Sequence, residues 1–124
     1  MADNENIIYS ENMITQPEIQ ARIYYVRDEQ VMIDRDLAVL YGVENRALRQ
    51  AVRRNINKFP EDFLFKLTEK ETNELISIGV SQSVIPPGYN TGGMCMYAFT
   101  EQGVAMLSTI LRSPHATTVS VAIM

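Results

Sequence analysis

The chain has 124 residues, 46% of them apolar and 21% charged, with a net charge of −4. This size and balance describe one domain with a genuine core and exclude a disordered chain. No apolar run approaches the ~20 residues of a membrane span. The N-terminus MADNENIIYSEN lacks the basic and apolar regions of a signal peptide.

Residues 1–20 are polar, with Gln16 and Pro17 as punctuation, and are expected to form a flexible N-terminal segment. Ile23 to Val26 and Gln30 to Ile33 flank Arg27-Asp28-Glu29, a pattern that predicts a β-hairpin. Asp34 or Asp36 then has the short side-chain oxygen that caps a helix. Leu37, Ala38, Leu40 and Tyr41 share one face of that helix. Gly42 supplies the positive φ at which a helix ends. Glu44 or Asn45 starts a second helix carrying apolar Leu48 and Ala51. Small Ala38, then Gly42, then apolar Val43 and Leu48 is the order of a helix-turn-helix, which sets its second helix into a DNA major groove.

A helical wheel sorts the second helix. Ala47, Leu48, Ala51 and Val52 form the apolar arc, while Arg46, Arg49, Gln50 and Arg53 project outward, with Asn45 and Arg54 on the flanks. Like charges at these spacings cost an isolated helix roughly 0.2–0.5 kcal/mol per pair. A solvated face alternates its signs, and this one does not. Arg53 and Arg54 also complement the negative end of their helix. Five cations and one anion between Glu44 and Lys58 make that segment +4, which leaves −8 on the rest. An acidic body with one basic stripe is oriented by a polyanion and gains only modest affinity from a single copy. A homodimer or a second contact would supply the remainder.

Downstream, Phe59-Pro60 breaks the pattern, and Phe63, Phe65 and Leu67 alternate as a strand with one face in the core. Thr68 and Glu71 have capping-box spacing, which predicts a helix from Glu69 to Ser77. Residues 79–93 are loop-like, with four glycines, two prolines and no charge. Met96 to Phe99 reads as a strand, and Thr100 as the cap of a helix from Glu101 to Arg112. Ser113-Pro114 restarts a helix, whose apolar pattern is cut at Met124. The chain is therefore read as the N-terminal piece of a longer protein, with a domain at 21–112 and a truncated helix at 113–124.

Catalytic residues are not expected. His115 is the only histidine and no spacing suits zinc. The acidic pairs Asp34/Asp36 and Glu61/Asp62, which a magnesium-dependent nuclease would need, are accounted for by helix capping and a turn. The Gly88, Gly92, Gly93 loop lacks the Gly-Lys-Ser/Thr of a phosphate cradle. Cys95 is the single cysteine, so no internal disulfide forms, in keeping with a reducing cytoplasm. It is expected to be a buried, inert thiol, and Met94, Met96 and Met106 to be core filler. No cofactor or metal is expected.

The runs IYYVRDEQVMIDRDLAVLYGVENRALRQAVRRNINKFPEDFLFKLTEKE and YAFTEQGVAMLSTILRS resemble the phage-type "open reading frame six" N-terminal domain, kin to the KilA-N and Bro-N domains. The resemblance spans Ile23 to Met124. It implies a DNA-binding protein or antirepressor of a prophage or similar mobile element, with a further C-terminal region, and places DNA contact on the helix from Asn45 to Arg54. The chain departs from the family in having Gly92-Gly93-Met94-Cys95-Met96 where relatives often carry basic residues.

The sequence thus predicts an α+β domain with a helix-turn-helix core, a small antiparallel sheet and added C-terminal helices. It is expected to bind double-stranded DNA sequence-specifically and regulate transcription. Arg46, Arg49 and Gln50 are assigned to base edges, Arg53, Arg54 and Lys58 to phosphates, and Asn45 to either. The alternative is a protein-interaction module that grips a repressor protein through the basic helix. RNA fits less well, since no aromatics interleave with the arginines.

Overall fold

A computed structural model describes residues 16–111. The expectations for residues 1–15, the restart at Ser113-Pro114, His115 and the cut final helix lie outside the described residues.

The elements run α1 (Gln16–Gln20), β1 (Tyr24–Val26), β2 (Glu29–Ile33), α2 (Asp34–Tyr41), α3 (Asn45–Arg54), a 3-10 turn (Ile56–Lys58), β3 (Leu64–Lys66), α4 (Glu69–Ser81), β4 (Tyr97–Phe99) and α5 (Glu101–Ile110). The strands form one antiparallel sheet in the order β1-β2-β4-β3, so the fold is α+β as expected. Residues 16–20 are helical rather than loose, because Ile19 is fully buried in the core.

The β1–β2 hairpin turns through Arg27 (φ 52°) and Asp28 (φ 64°), the mirror-image geometry that matches strand twist. Two non-glycine residues there cost roughly 1–2 kcal/mol each. Arg27 offsets this by gripping Glu71 on α4 with Nε at 3.0 Å and Nη2 at 2.9 Å, its guanidinium lying 4.6 Å from the Phe65 ring centre. The side-chain bonds from Arg27, first, and the capping bonds at Thr68 hold the Glu71 carboxyl down to about 2. A depressed carboxylate stabilises the fold above its unfolded value and loses that contribution as pH falls through its folded one. The stability gap between the wild type and Glu71→Gln should therefore narrow between pH 4.5 and 2, read by urea unfolding at each pH.

Both faces of the sheet are covered. Met32, Phe99 and Leu64 stand in register across β2, β4 and β3 and face the helices α2, α3 and α5 through Leu37, Tyr41, Leu48, Val52, Val104 and Leu107. Ile33 and Ala98 point the other way, into a second cluster with Val31, Leu67, Leu75, Ile85 and Met96. The one-sided strand expected over Phe63, Phe65 and Leu67 is corrected accordingly. Leu64 is the buried residue on the helix side, and both phenylalanines are only half-buried.

Local signals behave as read at α4 and α5. Thr68 and Glu71 form a complete capping box, and the Thr100 hydroxyl accepts the Gly103 amide. Helix α4 runs past Ser77 to Ser81, because its own loop folds back onto it. The amides of Val84 and Ile85 both bond the Gly79 carbonyl, at 2.9 and 3.1 Å, and a side chain at Gly79 would strike Ile85 and the Tyr24 hydroxyl. The methionines divide. Met96 is buried and Met106 half-buried, but Met94 is 53% exposed, which corrects its reading as core filler. Cys95 is half-buried rather than enclosed.

Candidate nucleic-acid interface

Helices α2 and α3 are joined by a turn of three residues. Gly42 takes φ 71°, its amide bonds the Val39 carbonyl at 3.2 Å, and the Val43 amide bonds Ala38 at 3.0 Å, a left-handed stop that satisfies the open carbonyls of α2. Leu37, Ala38, Leu40 and Tyr41 are buried as expected, and Leu48 and Val52 seat α3 against them.

The rotation of α3 differs from the wheel. Ala47 is exposed, Ala51 half-buried, and the inner side is made by Leu48, Val52 and the partly buried Asn45 and Arg49. The outward placement of Arg49 is therefore corrected. Its side chain is 12% exposed, Nη1 lies 2.5 Å from Asp34 Oδ2, and the guanidinium sits 4.4 Å from the Tyr97 ring centre, with Cys95 O at 3.4 Å. The wheel weighs polarity alone, whereas a guanidinium is drawn inward by a buried carboxylate and an aromatic face.

Asp34 is correspondingly not a cap. Ile33 holds the N-cap position in extended conformation with no side-chain bond, and Asp34 and Asp36 are both fully buried. Arg35 bonds Asp36 Oδ1 at 2.8 Å, and the Tyr24 hydroxyl bonds Oδ2 at 3.2 Å. Burial raises both carboxyls above their ordinary range, opposed by Arg49 at Asp34 and by Arg35 at Asp36. Arg35 also donates to the Val84 carbonyl at 3.0 Å and lies 5.1 Å from the Tyr89 ring centre. The two arginines thus repeat one arrangement. Each joins a buried aspartate, a tyrosine face and a carbonyl of the segment 82–96, Arg35 near its start and Arg49 near its end.

The rest of the basic row stays outside. Arg46, Gln50, Arg53 and Arg54 are exposed and together line an open concavity on α3. Among the described residues, none of them is bonded or ion-paired, and Lys58 projects equally free from the 3-10 turn. Asn45 is half-buried with Oδ1 enclosed and unpartnered. Of the seven residues assigned to a nucleic acid, five share the open surface, Asn45 sits at its edge, and Arg49 belongs to the interior. The aspartate–arginine–tyrosine pairs were not foreseen. Two acids set between the apolar runs Val31 to Ile33 and Leu37 to Leu40 are the one local sign of them.

Among the described residues no group of histidine, cysteine and acidic side chains could hold a metal ion, and no helix is long and apolar enough to cross a membrane. The family model of the ORF6N domain matches residues 21–110. The chain belongs to the ORF6N domain family, as its two long motifs foretold. No curated protein and no solved structure matches it.

Proposed function

Starting from an ORF6N domain that carries a bare cationic row, we propose that this protein binds double-stranded DNA and regulates transcription in a prophage or similar element, acting in the cytoplasm and without catalysis. The pair α2–α3 serves as a helix-turn-helix. The observation that carries this reading is the unneutralised set Arg46, Arg53, Arg54 and Lys58 on a chain that is otherwise acidic. Leaving four cations unpaired beside a body rich in Asp and Glu is explained by an anionic partner. A double helix suits the shape, since one exposed helix face fits a major groove.

The roles follow from exposure. Arg46 and Gln50, near the start and middle of α3, address base edges, where arginine and glutamine each bond two atoms at once. Arg53 and Arg54 at its end, with Lys58 on the 3-10 turn that follows, address phosphates. Arg49 takes no base and instead fixes the rotation of α3.

A salt titration on duplex DNA tests this. Log affinity should fall with log salt at a slope of several, and Arg54→Ala should lower that slope by about 0.9 on every sequence. Arg46→Ala should instead cost about 1–3 kcal/mol on a selected site and little on random DNA. Absence of binding at low salt would overturn the reading and leave the repressor-binding module standing.

A further inference from the structure

We infer that the uncharged segment 86–94 is a second DNA-contacting surface, held beside α3 so that it meets the duplex flank next to the groove the helix enters. The inference rests on the DNA reading above and adds to it a surface that the cationic row does not contain.

Three observations carry it. The first is mooring. The segment is fastened at both ends to the helix pair that bears the cations, by Arg35 through Val84 O and the Tyr89 ring, and by Arg49 through Cys95 O and the Tyr97 ring. Each arginine is anchored on a fully buried aspartate. Burying two carboxylates is costly, and the arrangement fixes the position of an exposed loop relative to α3.

The second is placement. At 100° per residue, Arg49 lies about 40–60° round α3 from Arg53 and Arg46, between the basic face and the core. The Cys95 carbonyl that it touches therefore lies along the flank of the cationic row. Met94, the preceding residue, is 53% exposed.

The third is charge and shape. Fourteen of the fifteen acidic residues lie outside Glu44 to Lys58, yet none falls within 82–96. The stretch brings no negative charge of its own toward a polyanion, and the acid beside it is Glu69 of α4, which lines a shared hollow with Asn90, Thr91, Gly93 and Met94. Gly88, Gly92 and Gly93 all have positive φ (81°, 69° and 87°) and open space where a Cβ would stand, so they are required by backbone shape and not by packing. Asn90 Oδ1 holds the Gly92 amide at 2.8 Å and keeps that shape. Small and uncharged, the segment can approach a sugar-phosphate backbone closely and contact it through peptide groups, Thr91 and the Met94 side chain.

The experiment changes charge at the exposed Met94. Met94→Lys and Met94→Glu are compared with Ser77→Lys and Ser77→Glu on the exposed side of α4, all as full chains on random-sequence duplex. Met94→Lys should tighten binding about fivefold to tenfold at 0.1 M salt and steepen the slope by about one. Met94→Glu should weaken binding by a similar factor, and the Ser77 pair should stay near wild type. If the Met94 variants move no further than the Ser77 variants while Arg54→Ala still weakens binding, this inference fails and the DNA reading survives. If the wild type shows no salt-dependent affinity, both fail.

Discussion

Replacing Gly103 with alanine is expected to lower stability by about 3 kcal/mol or more, although alanine in place of glycine ordinarily strengthens a helix by about 1 kcal/mol. Gly103 occupies the first turn of α5, and a methyl there would overlap the Phe63 carbonyl, 2.8 Å from its carbon and 3.4 Å from Cα. That carbonyl cannot retreat cheaply. It accepts the Thr100 amide at 3.0 Å, while the Thr100 hydroxyl donates to Asp62 O at 2.7 Å and accepts the Gly103 amide at 3.3 Å. Moving Phe63 would break the bonds that cap α5 and pull β3 from β4. Urea unfolding of Gly103→Ala measures this. A loss below 1 kcal/mol would mean that the α5–Phe63 approach yields easily.

Arg49→Ala is the second large effect, about 3–5 kcal/mol, because it leaves Asp34 charged and enclosed with no cation beside it. Removing both partners, as in Asp34→Leu with Arg49→Met, should recover most of the loss, since neither charge is then stranded. The pH dependence has a definite sign. Burial, opposed by Arg49, raises the Asp34 carboxyl above its unfolded value. A group so raised favours the fold most fully below the unfolded value, and that favour is lost as pH rises through the folded one. The defect of Arg49→Ala should therefore be greatest near neutrality and shrink as pH falls toward 4, when Asp34 takes a proton. Unfolding curves at pH 4 and 7 decide it. An equal loss at both would assign the effect to packing alone.

These two positions mark what the sequence discloses and what it hides. Gly42, Thr68 with Glu71, and Thr100 were legible because each signal acts within a few residues of its own helix end. The hairpin around Arg27-Asp28 was legible from the apolar runs on either side. Arg49 was not, because its partners stand fifteen residues earlier at Asp34 and across the fold at Tyr97. A wheel places every arginine outward, and only the packed molecule provides a carboxylate and a ring to reverse that. Asp34 and Asp36 correctly announced the start of a helix, yet their carboxylates turn inward and leave the cap to extended Ile33. Ile19 was missed for a related reason. One apolar residue in a polar stretch has no periodicity, and only the core it fills reveals it.

Strand β4 lies inside the sheet. It is three residues long, pairs with β2 on one side and β3 on the other, and its Ala98 and Phe99 are wholly enclosed on opposite faces. Neither half of the interior can open while that short ribbon keeps its place, and both are uncovered once it leaves. No part of the described residues is therefore expected to survive alone, and their deepest backbone amides should exchange with solvent only through complete unfolding.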